Sequence, residues 1–463
     1  MKIAFVKPPA TYANWYRRPL LGIASLAAYL ERHGYDCRIF DSVFSGWSEA
    51  ELMAQLDSYG PDLAAFTAMT HEIDAAGRIA LRLRQGGTCA TVVGGCHFSA
   101  LPQRTLIEFP GFDYGIAGEG EEPLLALTRS LESGGKPDRS IPGLASRPEK
   151  GTVAFNHPAP PLSGEALDRL PFPAFHLYFG DDSGALAGTG DEYPILSSRG
   201  CPYRCAFCMQ ALGRTVRLRS AERILEEMKA AVDAYGAHTF NFIDEIFLTD
   251  TPRTHDLLER MISSGLSRSI RWSGLTRANL VSGKLVEKAA RAGCFRLEMG
   301  VESGDDRILK KIDKGITVAE VREAARLIKQ AGIEFHAYFI IGHPGETVAT
   351  IARTADLAVE LNPSNIAVGI MVPYPGTAIY RMAREGREGY RLLSEDWTRY
   401  DKYGVGVLEV SGFTPRQLRK WQRRIMLGFF LKNRRFLNLA GYFWKRRRAL
   451  WYFLGNRLRG RRT

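Results

Sequence analysis

No run of apolar residues in this 463-residue chain approaches the roughly 18 that a bilayer-crossing helix needs. The opening residues, Met1-Lys-Ile-Ala-Phe-Val-Lys-Pro-Pro, have neither the apolar core nor the cleavage site of a secretory signal, and they read as a first strand. The expectation is a cytoplasmic protein. Cysteine is sparse and odd in number, seven in all, which argues against a disulfide framework. Acidic residues are absent from 411–463, where sixteen Lys or Arg stand uncompensated. The whole chain carries +12, so everything before that tail is mildly acidic and the basic character belongs to the tail alone. No low-complexity tract and no short repeat interrupts the rest.

What is present fits a globular chain of two or three domains. Hydrophobic residues make up 45% and charged residues 24%, and the length exceeds what one core usually fills. Short β-favouring apolar runs at 3–6, 38–40, 63–69, 91–93 and 114–117 alternate with helical patterns such as 20–32 and 73–84. Five such units predict a doubly wound, Rossmann-like parallel sheet over 1–135, with ligands at the carboxyl ends of its strands. The loops there carry Lys7-Pro8-Pro9, Thr67-Ala-Met-Thr70, Gly94-Gly95-Cys96-His97 and Gly118-Glu119-Gly120-Glu121. Residues 136–192, rich in Pro and Gly, read as an ordered linker. A second series follows, with strands expected at 193–197, 240–243, 270–275, 296–301, 335–341 and 366–371 and helices at 220–235, 252–264, 283–292, 318–331 and 347–361. Six units closing partly on themselves give an incomplete (β/α)6 barrel over 193–400, whose active loops follow the strands. Residues 401–463 complete the chain as a basic, aromatic, helical region.

The loop after the first barrel strand reads Cys201-Pro-Tyr-Arg-Cys205-Ala-Phe-Cys208. Three thiols on one tight loop can hold three corners of a [4Fe–4S] cluster. No fourth Cys or His follows in the loop, so one iron stays open for chemistry. A zinc knuckle, which wants four ligands, is the lesser alternative. The spacing C-x3-C-x2-C resembles the signature of the radical S-adenosylmethionine (SAM) enzymes, in which the open iron chelates SAM and the cluster cleaves it reductively. The remaining barrel turns carry the groups that a zwitterionic, ribose-bearing ligand needs: Asp244-Glu245, Arg277, Gly300-Val-Glu302-Ser303, Gly342-His-Pro-Gly-Glu346 and Pro373-Tyr-Pro-Gly376. Any one of these alone would read as a solvated loop end. Five on one rim beside the cysteine loop call for a ligand.

Over roughly residues 1–400 the chain resembles the cobalamin (B12)-dependent radical SAM enzymes, the class B methylases. The resemblance rests on the cysteine loop, Gly213-Arg-Thr-Val-Arg217-Leu-Arg-Ser220, the barrel turns just quoted, and Gly94-Gly95-x-His97 and Gly118-Glu119-Gly120-Glu121 in the first domain. His343 departs from it, since the family has Leu there. The resemblance implies cluster ligands at Cys201, Cys205 and Cys208. It implies SAM contacts at Phe207, Glu245, Arg277, Glu302, Ser303, Gly342 and Glu346. Cobalamin contacts would come from Pro8, Thr67, Thr70, Gly94, Gly95, His97, Gly118, Glu119 and Gly120. Asp-x-His-x-x-Gly, the motif that ligates cobalt from below, fits none of His33, His71 and His97, so the implied cobalt has no His on its lower face. Cys89 and Cys294 read as small core residues, and Cys96 lies at a ligand-facing turn.

The function implied is methyl transfer to an unactivated carbon or phosphorus centre through a 5′-deoxyadenosyl radical and methylcobalamin. A second reading keeps both cofactors but ends in cyclisation, oxidation or rearrangement, and a third is a non-catalytic cobalamin sensor. The partners implied are a small-molecule or peptide substrate and an electron donor such as flavodoxin or ferredoxin. The tail interleaves aromatics with cations, as in Tyr442-Phe-Trp444-Lys-Arg-Arg-Arg448. It fits a peripheral contact with an anionic inner membrane face or a helical cap on the barrel, and less well a nucleic-acid contact. On the membrane reading, removing 411–463 leaves SAM cleavage largely intact.

Overall fold

The computed structural model describes residues 1–9, 18–87, 89–134, 137–138, 140–147, 152–180, 182, 184–189, 191–402 and 406–441. Its first strands are β1 (Lys2–Lys7), β2 (Asp36–Asp41), β3 (Leu63–Thr67), β4 (Ala90–Gly94) and β5 (Tyr114–Ile116). They run parallel in the order β2-β1-β3-β4-β5. Helices cover both faces, so β1 is apolar and buried at nearly every position and not only at alternate ones. The sheet does not stop near residue 135. Two short strands, β6 (Leu144–Ser146) and β7 (Ala154–Phe155), extend it antiparallel within the stretch expected to be linker. Strands of two and three residues are too short to show a period among prolines and glycines, which is why the sequence hid them.

The second sheet opens with β8 (Tyr193–Ile195). A small antiparallel ribbon, β9 (Ser198–Arg199) with β10 (Arg217–Leu218), rises from it. Then come β11 (Thr239–Phe242), β12 (Arg271–Thr276), β13 (Cys294–Glu302), β14 (Glu334–Ile341) and β15 (Asn365–Ile370). The order β15-β14-β13-β12-β11-β8 is parallel throughout, and β15 does not pair with β8, so the barrel is incomplete as expected. Five helices between the strands start on a Ser or Thr that accepts a backbone N–H three residues on: Ser220, Thr251, Ser282, Thr317 and Thr347. Those caps satisfy donors that would otherwise be orphaned and set where each helix begins. Along β13, Leu297, Met299 and Val301 are buried against the helices, while Arg296 and Glu298 alternate with them on the inner face.

After the barrel, β16 (Tyr390–Leu392) pairs with β17 (Leu408–Val410). The segment between them crosses to the first domain, where Trp397 donates from Nε1 to Glu108 at 2.8 Å and lies edge-on to His97. The helix Pro415–Lys432 then packs on β15 and on the helix Val348–Leu361. It buries Leu418, Ile425, Met426, Phe429 and Phe430, and Gln422 Nε2 donates to the Val368 carbonyl at 2.6 Å. This overturns the expectation that residues 411–463 can be removed at little cost: their first helix belongs to the barrel core. The aromatic and basic run from Tyr442 onward lies outside the described residues. No helix among the described residues is long and apolar enough to cross a membrane.

Candidate active site

The cysteine loop hangs from the β9–β10 ribbon. Cys201 N donates to the Gly213 carbonyl at 3.1 Å and Cys208 N to the Cys205 carbonyl at 3.0 Å, which closes the loop on itself. Ala206 N donates to the Ile312 carbonyl at 2.8 Å, and its own carbonyl accepts from Ile379 N at 3.0 Å, which fastens the loop to the barrel. Cys201 and Cys205 are half-buried, while Cys208 reaches the surface. Burial pushes the Cys201 thiol up, with Cys205 and Glu245 adding to the rise and Arg277 opposing it. The protein packed behind Cys208 pushes its thiol up to about 11, and Cys205, Cys201 and Glu245 add to that against Lys314. The three sulfurs thus lie within one another's fields, and bound metal would hold them as thiolates. Among the described residues no three His, Cys, Asp or Glu converge on a single ion. A cubane does not ask that, because each sulfur binds a different iron. The donor set fits a cluster.

Around this loop stand buried polar atoms that have no partner among the described residues. Arg277 lies 3.6 Å over the ring of Tyr203, inside the cysteine loop, and its Nε donates to Asn279 at 2.9 Å while Nη2 is unpaired. Glu245 has an unpaired Oε2, and burial pushes its carboxyl up. Its neighbour Asp244 is fully engaged by Ser197 and Ser198. Glu302 sits at φ 67, a left-handed conformation that side chains rarely adopt. An ion pair with Lys314 at 2.8 Å holds it there. Phe207 lies 6.2 Å from the His343 ring and 5.8 Å from Lys314 Nζ. The unpaired Arg277 and Glu245 side-chain atoms beside three thiols are groups that a zwitterion such as SAM would satisfy. Ser303 stands apart, since its hydroxyl faces Thr354 and accepts from Asp305 N.

Gly342, at φ 95, makes the sharp turn that ends β14. Both Gly342 N and His343 N donate to Glu346 Oε2, while Glu346 Oε1 has no partner among the described residues. His343 is wholly buried. Its ring nitrogens lie beside the carbonyls of Glu302 and Ile340 but make no well-formed hydrogen bond. Burial pushes the Glu346 carboxyl up to about 7, against the pull of its two backbone donors. A carboxyl raised in the fold holds its proton more tightly there than in the unfolded chain. Its contribution is therefore whole below the unfolded value and is lost as pH rises through about 7. On that basis the cofactor-free chain should lose about 3 kcal/mol from this group between acid and mildly alkaline pH. Glu346→Gln, which keeps the acceptor and removes the charge, should flatten that slope in urea melts compared across pH. A variant profile parallel to the parent's would refute it.

On the first domain, Gly95 takes φ 92, and a Cβ there would press to 3.0 Å from Thr67 Oγ1. The Gly94-Gly95 turn thus offers bare backbone at the strand ends, as a bulky flat ligand requires. Pro8 is buried and Thr67 half-buried at the same rim. Thr70 and His97 are buried on each other, Nδ1 to Oγ1 3.3 Å, with Trp397 against the ring. Gly118 takes φ 86, and its N–H is held by Ser99 Oγ at 3.1 Å. Gly120 caps the helix Glu121–Glu132. The Glu119 carboxylate is committed to Arg199, Arg217 and Leu162 N, so its side chain is not presented to the rim. Sequence reading put Lys7 in the ligand-edge loop with Pro8, but Lys7 ion-pairs with Glu72 in the interior beside His71. It passed over Lys314, and it gave Tyr203 no role within the cysteine loop. The two rims meet beside the cysteine loop: a Cβ on Gly376 of the barrel would lie 3.3 Å from Ala100 Cβ, on the short helix that follows Gly95, and 3.4 Å from Met209 Cγ, next to Cys208. Burial pushes the Cys96 thiol up on that helix, and Lys7 draws it down.

Comparison with known proteins agrees with this geometry. The Radical SAM superfamily matches residues 195–358, and the B12 binding domain matches 17–128. An uncharacterized methyltransferase of Pyrococcus horikoshii is 30% identical over 446 residues, covering 93% of each chain. The anaerobic magnesium-protoporphyrin IX monomethyl ester cyclase of Cereibacter sphaeroides is 26% identical over 423 residues, which span 87% of this chain and 66% of that one. Among solved structures, the radical S-adenosylmethionine methyltransferase TsrM of Kitasatospora setae, with tryptophan and a SAM analogue bound, superposes with a TM-score of 0.71 at 18% identity, covering 92% of this chain and 88% of that one. The same enzyme with cobalamin and a [4Fe–4S] cluster gives 0.69 at 19% identity, covering 91% and 84%. At such identity the likeness shows the fold.

Proposed function

This chain belongs to the cobalamin-dependent radical SAM enzymes, and from that premise we propose that it methylates an unactivated carbon or phosphorus centre of a small molecule or peptide. The observation that carries the reading is the meeting of the two rims, where the Gly376 turn of the barrel lies against both Ala100 of the first domain and Met209 beside the cysteine loop. Bound there, the cluster would supply the electron that cleaves SAM to a 5′-deoxyadenosyl radical, and cobalamin in its methyl form would supply the methyl group. The chain's own residues hold and orient. Cys201, Cys205 and Cys208 ligate three irons. The Arg277 guanidinium suits the SAM carboxylate, Glu245 and Glu302 its ammonium or ribose, and the left-handed turn at Gly342 gives the adenine close access to the backbone. Gly94 and Gly95 present backbone to the corrin. The electron comes from a donor such as flavodoxin or ferredoxin. The basic run beyond residue 441 is a contact for an anionic membrane face.

The test is product analysis with reduced, reconstituted enzyme, labelled SAM and candidate metabolites. Methyl transfer predicts equal amounts of methylated product, 5′-deoxyadenosine and S-adenosylhomocysteine. The likeness to the cyclase favours a second reading, in which a ring closes or a bond is oxidised. That reading predicts 5′-deoxyadenosine and altered substrate with no S-adenosylhomocysteine, an outcome that would displace methylation.

A further inference from the structure

We propose that the Gly118-Glu119-Gly120-Glu121 turn is a brace between the domains, and that Glu119 and Glu121 position the two cofactors relative to each other without binding either one. The proposal rests on the two-cofactor reading above. The turn follows β5, at the ligand edge of the first sheet. The cysteine loop belongs to the barrel and is suspended between β9 and β10. Each of those stems carries one arginine: Arg199 just before the loop and Arg217 just after it.

Both guanidiniums converge on a single oxygen of the turn. Glu119 Oε1 lies 3.2 Å from Arg199 Nη1 and 2.7 Å from Arg217 Nη1. Arg199 Nη2 reaches Glu121 Oε1 at 2.6 Å. Glu119 Oε2 accepts from Leu162 N at 2.7 Å, and Arg217 donates further to the carbonyls of Leu162 at 2.9 Å and Leu212 at 2.8 Å. The four side chains are only 5 to 11% exposed, and their charges cancel in the sequence Arg217–Glu119–Arg199–Glu121. Buried charges of this kind are poor sources of net stability. Their value lies in specifying one arrangement, because any displacement strands a charge without its partner.

The neck of the ribbon adds stiffness. Gly200 takes φ 95, and a Cβ there would meet the Thr215 carbonyl at 2.3 Å, so the strands close on each other where the cysteines begin. The loop that carries the thiols is thus pinned at both stems by one turn of the other domain. The distance from cluster to corrin is then fixed by this ion-pair chain and does not depend on the cofactors' own contacts. That gives a physical use to two motifs, the doubled Gly-Glu and the arginines flanking the cysteines, whose side chains do not reach the ligand rims.

The test uses reconstituted full-length enzyme reduced to Co(II) and [4Fe–4S]+, with the magnetic coupling between the two centres measured by electron paramagnetic resonance. In Glu121→Ala, iron and cobalamin contents should stay near those of the parent, while the coupling weakens or broadens. 5′-Deoxyadenosine formed per altered substrate should rise about tenfold or more, the mark of an intact cleavage site facing a misplaced partner. Glu121→Gln keeps an acceptor for Arg199 and should restore a narrow coupling, a rescue that general destabilisation would not give. Unchanged coupling in a Glu121→Ala enzyme holding both cofactors would overturn the brace alone. Loss of cobalamin with cluster and coupling geometry retained in the remainder would overturn it too, by making the turn a ligand. A parent enzyme that takes up no cobalamin would overturn the two-cofactor reading, and the brace with it.

Discussion

Replacing Cys201, Cys205 and Cys208 together with Ala should leave anaerobically reconstituted protein with no cluster absorbance and SAM cleavage at background. The parent should hold about four iron and four sulfide per chain, as one cubane on three thiolates requires. The effect is expected to be complete because no other thiol can step in. Burial pushes Cys37 and Cys89 up to about 12, and Cys294 is sealed in the barrel core, so none is available as a thiolate. Cys96 lies on the opposing rim, and Cys96→Ala should keep full iron. Each replacement leaves a small apolar side chain on a loop whose backbone bonds to Gly213 and Ile312 do not involve sulfur, so the fold should survive and the loss should be specific. Iron retained in full by the triple variant would sink the assignment, and zinc in place of iron in the parent would revive the knuckle.

The parts of this molecule that were legible before any coordinates share a physical origin in local pattern. Eleven βα strands were placed within a few residues because buried parallel strands are short apolar runs, and in the barrel five of the helices after them begin on Ser or Thr caps such as Thr317 and Thr347. The cysteine loop announces itself by spacing alone. What stayed hidden depends on partners far away in sequence. Glu119 looked like a rim residue, yet its acid is held by Arg199 and Arg217. His97 stood in a Gly-Gly-x-His turn, yet Thr70 and Trp397 enclose it. Lys7 and Glu72 form an interior ion pair across two strand ends, and neither residue's neighbours in sequence foretell the other. Which side chain a loop residue presents to a ligand is decided by tertiary pairing, which carries no period.

Cutting the chain before residue 411 should destroy the fold, whereas cutting it after residue 441 should leave an intact, cluster-bearing protein. The helix Pro415–Lys432 buries Leu418, Ile425, Met426, Phe429 and Phe430 against the barrel. At about 1.5–3 kcal/mol for each such side chain, the five together contribute about 10 kcal/mol, as much as the whole net stability of a typical domain, about 5–15 kcal/mol. The loss would not be confined to apolar area. β15 is the edge of the barrel sheet, and without the helix the Val368 carbonyl loses Gln422 and the strand stands open to pairing with other chains. The 1–410 chain is therefore expected to give aggregates without iron. The 1–441 chain lacks only residues 442–463, which hold half of the tail's sixteen cations together with its densest aromatics. If that run meets an anionic membrane face, the 1–441 chain should bind acidic vesicles much less than the full chain does, and full-chain binding should fall as salt rises. A soluble 1–410 chain with four iron would show that the helix is an appendage. Equal, salt-insensitive vesicle binding by the full chain and the 1–441 chain would remove the membrane contact from the terminal run.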